Sequence, residues 1–239
     1  MTLTITPLQQ VPLIRQGDDL ADILVQSLHQ SNLALEDGDI LVVTSKIISK
    51  AEGRLVDLAT VTPSERALEL ARQSDKDPRV VELMLQESNE ILRVRVGTII
   101  VEHRLGFVCA NAGIDHSNVS AQTSEVSKDL GSLGAEDWVL LLPRDPDQSS
   151  REMREKIESK TGKRIGVMVI DSHGRAWRIG TVGVCIGLSG IPAVMDERGW
   201  KDLFGHELRI TIVGVADELA AAASLMMGQA AEGTPAVHV

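Results

Sequence analysis

The sequence predicts an α+β fold, with mixed and antiparallel sheets flanked by helices. Three observations carry that prediction. Strand-like and helix-like segments succeed one another without strict strand–helix–strand alternation, and residues 91–110 form an antiparallel-looking unit. Of the 239 residues 43% are hydrophobic, enough apolar surface for a substantial core. With three Trp, two Phe and no Tyr, that core must be aliphatic.

Taken in order, a strand is expected at about 2–6. Asp18 or Asp19 then caps a helix whose Leu20, Ile23, Leu24 and Leu28 recur at helical spacing. DILVVT (39–44) is a buried strand. Thr62-Pro63-Ser64-Glu65 has the form of a capping box with proline at the first helical position, opening a helix to about 74. Asp77-Pro78 opens another, carrying Val80, Val81, Leu83, Met84 and Leu85. From 91 to 110 the alternation of Leu92, Val94 and Val96, with turns at Gly97 and Gly106, predicts antiparallel strands. WVLLL (138–142) is a short buried strand, the polar run beginning DPDQSS is a solvated helix to about 161, and RIGVMVID returns to the core. A glycine-rich stretch (180–190), the strand ELRITIVGV and the small-residue helix DELAAAASLMMGQAA follow. The expected organisation is one domain over 1–239, with room for two packed subdomains divided near the polar stretch 116–135.

The formal charge of −10, from 34 acidic against 24 basic residues, opposes general affinity for nucleic acid or anionic membrane. No run reaches the roughly 18 apolar residues of a membrane helix, and the N-terminus has no leader pattern, so a cytoplasmic protein is expected. Cys109 and Cys185 lie in apolar runs, as small buried thiols do, and no CxxC, His/Cys cluster or HExxH points to zinc.

Four segments place polar groups at the ends of apolar strands, where a rigid scaffold can present them to a cleft. After DILVVT, Lys46 and Lys50 fall on one helical face, either a solvated surface or a polyphosphate cradle, with Ser45 and Ser49 able to donate or to cap. After GFVCA, Asp115 offers hard oxygen ligands and Asn118 a polar contact, or the run is an Asx-rich turn around Gly113; His116 is expected to be exposed. After RIGVMVI, Asp171 and Ser172 form a second ligand set with Arg175 or Arg178 near an anion, or a hairpin turn. Gly187-Leu188-Ser189-Gly190 either admits a ligand to the backbone or serves packing. Neither GxGxxG nor GxxxxGK[ST] is present, so nucleotide use cannot rest on a P-loop.

Together and in this order the segments resemble the F420-0:γ-glutamyl ligase family. The resemblance covers essentially the whole chain and is carried by VPLI (11–14), GDILVVTSKIISKAEGR (38–54), GFVCANAGIDHSNV (106–119), DSHGRAWRIG (171–180), IGLSGI (186–191) and VADELAAAASLMMG (215–228). It implies the family's ligase fold as an intertwined homodimer, and a GTP-dependent ligase adding L-glutamate, then further γ-linked glutamates, to F420-0 through an acyl phosphate. Mg²⁺ or Mn²⁺ is the implied metal, GTP the co-substrate and K⁺ an additional ion. Val11, Pro12, Leu13 and Ile14 would line the GTP site. Ser45, Lys46, Lys50 and Asn118 would hold the nucleotide. Asp115, Asp171 and Ser172 would ligate the metal, and Lys46, Lys50, Asp115 and Asp171 would form the catalytic set.

Two departures stand out: Gly205-His206-Glu207-Leu208 where relatives show GRxL, and Trp177 where Phe is common. Some bacterial relatives carry a second, reductase domain, for which 239 residues leave no room, so the stand-alone archaeal-type form is expected. The competing expectations are a metal-dependent phosphotransferase or hydrolase with another acceptor, and a nucleotide-binding module without turnover.

Overall fold

The computed structural model describes residues 2–119 and 137–239; of the boundary expected at 116–135, residues 120–135 lie outside the described residues. With elements numbered in chain order, a five-stranded sheet runs β1 (Thr6–Pro7), β12 (Ala236–His238), β2 (Ile40–Thr44), β8 (Gly166–Gly174), β9 (Thr181–Ser189). Only β2 and β8 are parallel; the other neighbours are antiparallel, so the sheet is mixed as expected.

Side-chain alternation along β2 and β8 builds a core on each face. Leu41, Val43, Val167 and Val169 meet α1 (Leu20–Gln30), α2 (Ser45–Ala51) and α5 (Pro146–Thr161) on one face. Val42, Met168 and Ile170 meet α6 (Val215–Met227), whose Ala216, Ala220 and Ala223 allow close approach, on the other. Gly183 and Gly187 are part of that packing. A Cβ at Gly187 would lie 2.4 Å from Pro146 of α5, and one at Gly183 2.5 Å from the Ala220 carbonyl oxygen of α6. Close packing, rather than ligand approach, therefore accounts for these two glycines.

A separate apolar cluster joins α3 (Glu65–Ser74) and α4 (Pro78–Gln86) to the antiparallel meander β4 (Ser88–Arg95), β5 (Thr98–His103), β6 (Val108–Ala110). Two short pairs complete the fold: β3 (Leu55–Asp57) with β7 (Trp138–Leu140), and β10 (Met195–Asp196) with β11 (Ile212–Val213). Asp19 caps α1, Asp77 with Pro78 caps α4, and Asp145 caps α5.

Four expectations are corrected. The strand at 2–6 shrinks to Thr6–Pro7, because only that end meets β12. The α3 cap is Ser64 rather than Thr62: its hydroxyl accepts from Ala67 N, while its own N–H donates to Glu82 across the helix pair. Along β4, register shifts at 88/90 and 91/93 break the alternation, so Ile91 and Val94 turn inward and Leu92 and Val96 are exposed. Of ELRITIVGV only Ile212–Val213 is strand, its single neighbour being the two-residue β10.

His103, on the meander, is fully buried and stacked on Phe107 at 5.2 Å. Its Nδ1 accepts from Leu105 N, and its Nε2 stands 3.8 Å from Glu87 Oε2, itself paired with Arg54 and Arg104 at 2.8 Å each. Burial pushes the His103 pKa down to about 4; Glu87 opposes the shift, and Arg104 and Arg54 reinforce it. The ring is therefore neutral and its contact with Glu87 is not an ion pair.

An unfolded histidine binds its proton near 6.5, so the unfolded chain holds more protons at this site below that pH. His103 should thus contribute stability that is complete above about pH 6.5 and lost as pH falls towards about 4. His103→Gln should flatten the decline of the urea midpoint between about pH 7 and about pH 5. A decline as steep as the parent's would overturn this assignment.

Candidate functional site

A cleft of about 960 Å³ opens at the carboxyl ends of β2 and β8. It gathers the eleven residues that the family resemblance assigned to nucleotide and metal: Val11, Pro12, Leu13, Ile14, Ser45, Lys46, Lys50, Asp115, Asn118, Asp171 and Ser172.

The first turn of α2, directly after β2, is the hub. Ser45 is buried, and its Oγ donates to Asp171 Oδ1 at 2.8 Å. The next residue, Lys46, reaches the other way, with Nζ 2.6 Å from Asp115 Oδ2 and donating to the Ser117 carbonyl and Oγ at 2.8 and 2.9 Å. One turn on, Lys50 Nζ donates to the Asn118 carbonyl at 2.9 Å. The two lysines thus share a helix face, as their spacing implied, and that face is turned to the cleft.

Asp115 is fixed by its backbone. Asn111, Ala112 and Gly113 all have positive φ, which swings the chain out of β6, and Asn111 Oδ1 braces the turn by accepting from Ile99 N at 3.0 Å. Asp115 then exchanges two backbone hydrogen bonds with Leu140 of β7, at 3.0 and 2.9 Å. Its Oδ1 accepts from Ser117 N at 2.6 Å. The Asx turn and the presented carboxylate are therefore one structure: Oδ1 holds the turn and Oδ2 faces Lys46. Burial opposes ionisation of Asp115, but Lys46 and Ser117 outweigh it and hold the carboxyl below its ordinary range. Burial likewise pushes the Lys50 ammonium down, helped by Lys46 and resisted by Asp115.

Asp171 extends β8 past its hydrophobic run, and His173, two residues on, places Nε2 3.3 Å from Asp171 Oδ2. That nitrogen is buried and off the line a hydrogen bond requires, so the contact is electrostatic at most. Ser172 points to the opposite side of the strand and donates to Gln229 Oε1 at 2.9 Å. Among the described residues no three His, Cys, Asp or Glu side chains converge on one point. The donor set among the described cleft residues is three carboxylates, Asp115, Asp171 and Glu232, with hydroxyl and carbonyl oxygens, and a lysine ammonium already sits among three of those oxygens. Such a set suits a hard divalent ion that completes its shell with a ligand's phosphates.

Sequence reasoning missed the opposite wall, Met227 to Pro235, which lines the cleft after α6. Asn118, at positive φ, donates to the Ala230 carbonyl at 2.9 Å, and Glu232 accepts from Ala230 N. Gly228 and Gly233 were the only cues, and backbone carbonyls leave no trace in residue types. Arg15 also lines the cleft, whereas Arg175, Arg178 and His206 do not; Arg175 donates to the Ile179 carbonyl and His206 lies beside Asp202. His116 is exposed, as expected.

Fold and cleft define an α+β protein whose candidate ligand site joins Lys46 and Lys50 to Asp115 and Asp171 across a parallel strand junction. The chain belongs to the F420-0:Gamma-glutamyl ligase family, whose model matches residues 9–239, and so to a family of ligases. It is 46% identical over 236 residues to the coenzyme F420:L-glutamate ligase of Methanopyrus kandleri, covering 99% of this chain and 86% of that protein. It is 45% identical over 239 residues to the enzyme of the same name from Archaeoglobus fulgidus (100% and 88% covered) and 43% identical to that of Methanothermobacter thermautotrophicus (100% and 89%). No helix among the described residues is long and apolar enough to cross a membrane.

Both cysteines are poor nucleophiles. Burial raises the Cys109 and Cys185 thiols to about 12, although Cys185 is only half-buried. At about pH 8 a thiol reagent should label the folded protein far more slowly than the denatured chain. Rapid native labelling would contradict the raised pKa of both thiols.

Proposed function

We propose that this protein uses GTP and a divalent cation, Mg²⁺ or Mn²⁺, to join L-glutamate to F420-0, and further glutamates through γ-linkages. The single observation that supports this reading most is the convergence of Lys46, Lys50, Asp115 and Asp171 in one cleft of a chain that is 43–46% identical to F420:L-glutamate ligases.

A free carboxylate does not react with an amine, so it must first be activated. The F420-0 carboxylate attacks the γ-phosphorus of GTP; a carboxyl O–P bond forms, the P–O bond to GDP breaks, and an acyl phosphate results. The glutamate amine then attacks the acyl carbon, the C–O bond to phosphate breaks, and the amine proton leaves. Lys46 and Lys50 supply fixed positive charge to the phosphate oxygens in a partly desolvated cleft, where charge costs no reorganisation at the moment of reaction. Ser45 and Asn118 fix the positions of Asp171 and of the Met227–Pro235 wall, and Val11 to Ile14 provide the nucleotide's other wall. Asp115 and Asp171 would hold the divalent ion, which when bound neutralises phosphate charge, and Ser172, whose hydroxyl donates to Gln229 on the other side of β8, would have to turn from it to join them; K⁺ is an additional cation for the same oxygen-rich cleft.

A second copy of the chain completes the assembly in this reading. Between 175 and 213 the chain carries apolar side chains that its own fold leaves uncovered, with Trp177, Ile179 and Leu203 almost wholly exposed. So much apolar surface on one segment is the mark of an interface.

Asp115→Asn and Asp171→Asn should each lower GTP-dependent glutamylation on the order of 10²–10³-fold while leaving the melting temperature close to the parent's. With F420-0, glutamate, GTP and Mn²⁺ the expected product is heavier by one or more glutamyl units in mass spectrometry. Phosphate release without that gain would indicate a hydrolase, and binding without turnover a nucleotide-binding module; either would refute the ligase. Light scattering should return about twice 25.8 kDa, and Leu203→Asp with Phe204→Asp should halve that mass. A monomeric parent would remove the dimer.

A further inference from the structure

Lys46 occupies a built cation cradle. Its ammonium lies 2.6 Å from Asp115 Oδ2, 2.8 Å from the Ser117 carbonyl oxygen and 2.9 Å from Ser117 Oγ. The cradle is rigid, because the Asp115 backbone is bonded twice to Leu140 and its Oδ1 is committed to Ser117 N. One carboxylate, one carbonyl and one hydroxyl oxygen form the donor set that a hard divalent ion takes.

Two cations cannot share this position. An ammonium and a divalent ion on the same carboxylate oxygen would repel at a few ångströms in a partly desolvated cleft. With Oδ1 turned to Ser117 N, the oxygen that Asp115 presents beside the cleft's other donors is Oδ2, and an ion taking it displaces Lys46. The displaced ammonium then needs another anion, and among the described residues the cleft's other carboxylates already have partners: Asp171 accepts from Ser45 and is approached by His173, and Glu232 accepts from Ala230 N. A polyphosphate entering beside Lys50 is the anion that satisfies it.

We propose that Lys46 is a placeholder cation on Asp115, withdrawn to the phosphates when nucleotide binds, so that nucleotide entry is what opens Asp115 to the divalent ion. Metal and nucleotide affinities are then coupled, each raising the other by the same factor. The proposal rests on the reading of Asp115 as a metal ligand and goes beyond it by giving one lysine opposite effects in the two states.

The test is Mn²⁺ binding without turnover, followed by the electron paramagnetic resonance signal of free Mn²⁺, with and without a non-hydrolysable GTP analogue. In the absence of nucleotide, Lys46→Met and Lys46→Gln should bind Mn²⁺ more tightly than the parent, on the order of ten- to a hundredfold, the range set by loss of a charge-assisted contact. Among the described residues Lys50 hydrogen-bonds the Asn118 carbonyl and not Asp115, so Lys50→Met removes the same charge without freeing Asp115 Oδ2, and should change nucleotide-free affinity by no more than about threefold. A lysine serving only the phosphates would leave nucleotide-free Mn²⁺ affinity unchanged in both Lys46 variants, and that result overturns the placeholder. An equal gain in Lys50→Met also overturns it, since overall charge would then explain the effect. Asp115→Asn separates the levels. If it abolishes Mn²⁺ binding with the analogue while the Lys46 variants show no gain, only the placeholder falls; if binding with the analogue survives it, the metal assignment falls as well.

Discussion

The cleft depends on the first turn of α2, where neighbouring residues bind opposite acids. Ser45 donates to Asp171 on β8, and Lys46 pairs with Asp115 beside β7, so one short turn ties together carboxylates 56 positions apart in the chain. The parallel pairing of β2 with β8 makes this possible. It brings Thr44 opposite Ile170, so that the helix leaving one strand starts next to the carboxylate ending the apolar run of the other. Parallel neighbours present their carboxyl ends on the same edge, which is where open sheets hold ligands.

The hub also joins the two larger parts of the fold. On the sheet side, Asp171 is followed by His173, whose ring meets Phe107 at 5.3 Å. Phe107 in turn stacks on buried His103, which leads to Glu87 and its two arginines. Arg54 of that group donates to the Leu142 carbonyl just beyond β7, and Asp115 is bonded to Leu140 on the same strand. Asp115 and Asp171 are therefore both braced by the meander as well as by the central sheet. Glu87 stays ionised despite burial because Arg104 and Arg54 hold it below its ordinary range. A buried carboxylate so paired is costly to break, which gives the junction a fixed geometry rather than a sliding one.

What the sequence made legible follows from which forces are local. Helix caps at Asp19, Asp77 and Asp145 are contacts within two or three residues, and composition reveals them. The buried strands β2 and β8 show as unbroken aliphatic runs. The bulges in β4 are settled by pairing with β5, and the brevity of β1 and β11 by the lack of longer partners, so residue patterns overstated all three. At the site, charged and carboxylate residues after apolar strands announced themselves. The Met227–Pro235 wall did not, because it acts through the Ala230 carbonyl and a glutamine, groups with no compositional signature. The Asx turn at Asp115 and its role as a presented acid looked like alternatives in one dimension. In three dimensions the two oxygens of one carboxylate divide the work.

Net charge and local charge point in opposite directions, and the difference has a chemical use. A chain at −10 repels polyanions at long range, yet Lys46, Lys50 and Arg15 line one cleft. Screening confines that general repulsion to roughly 8 Å at physiological ionic strength, so a triphosphate at the cleft mouth responds mainly to the nearest groups. There Asp115 tempers the lysines, and the cleft without ligands is close to internally neutralised rather than strongly positive. On the function proposed above, such a site would select for an anion that arrives with its own cation, because that pair replaces both halves of the Lys46–Asp115 contact at once. A free anion would leave the Asp115 carboxylate without its cation, and a free cation would leave Lys46 without its acid, so in that reading the cleft's electrostatics would favour the complex of the two over either alone.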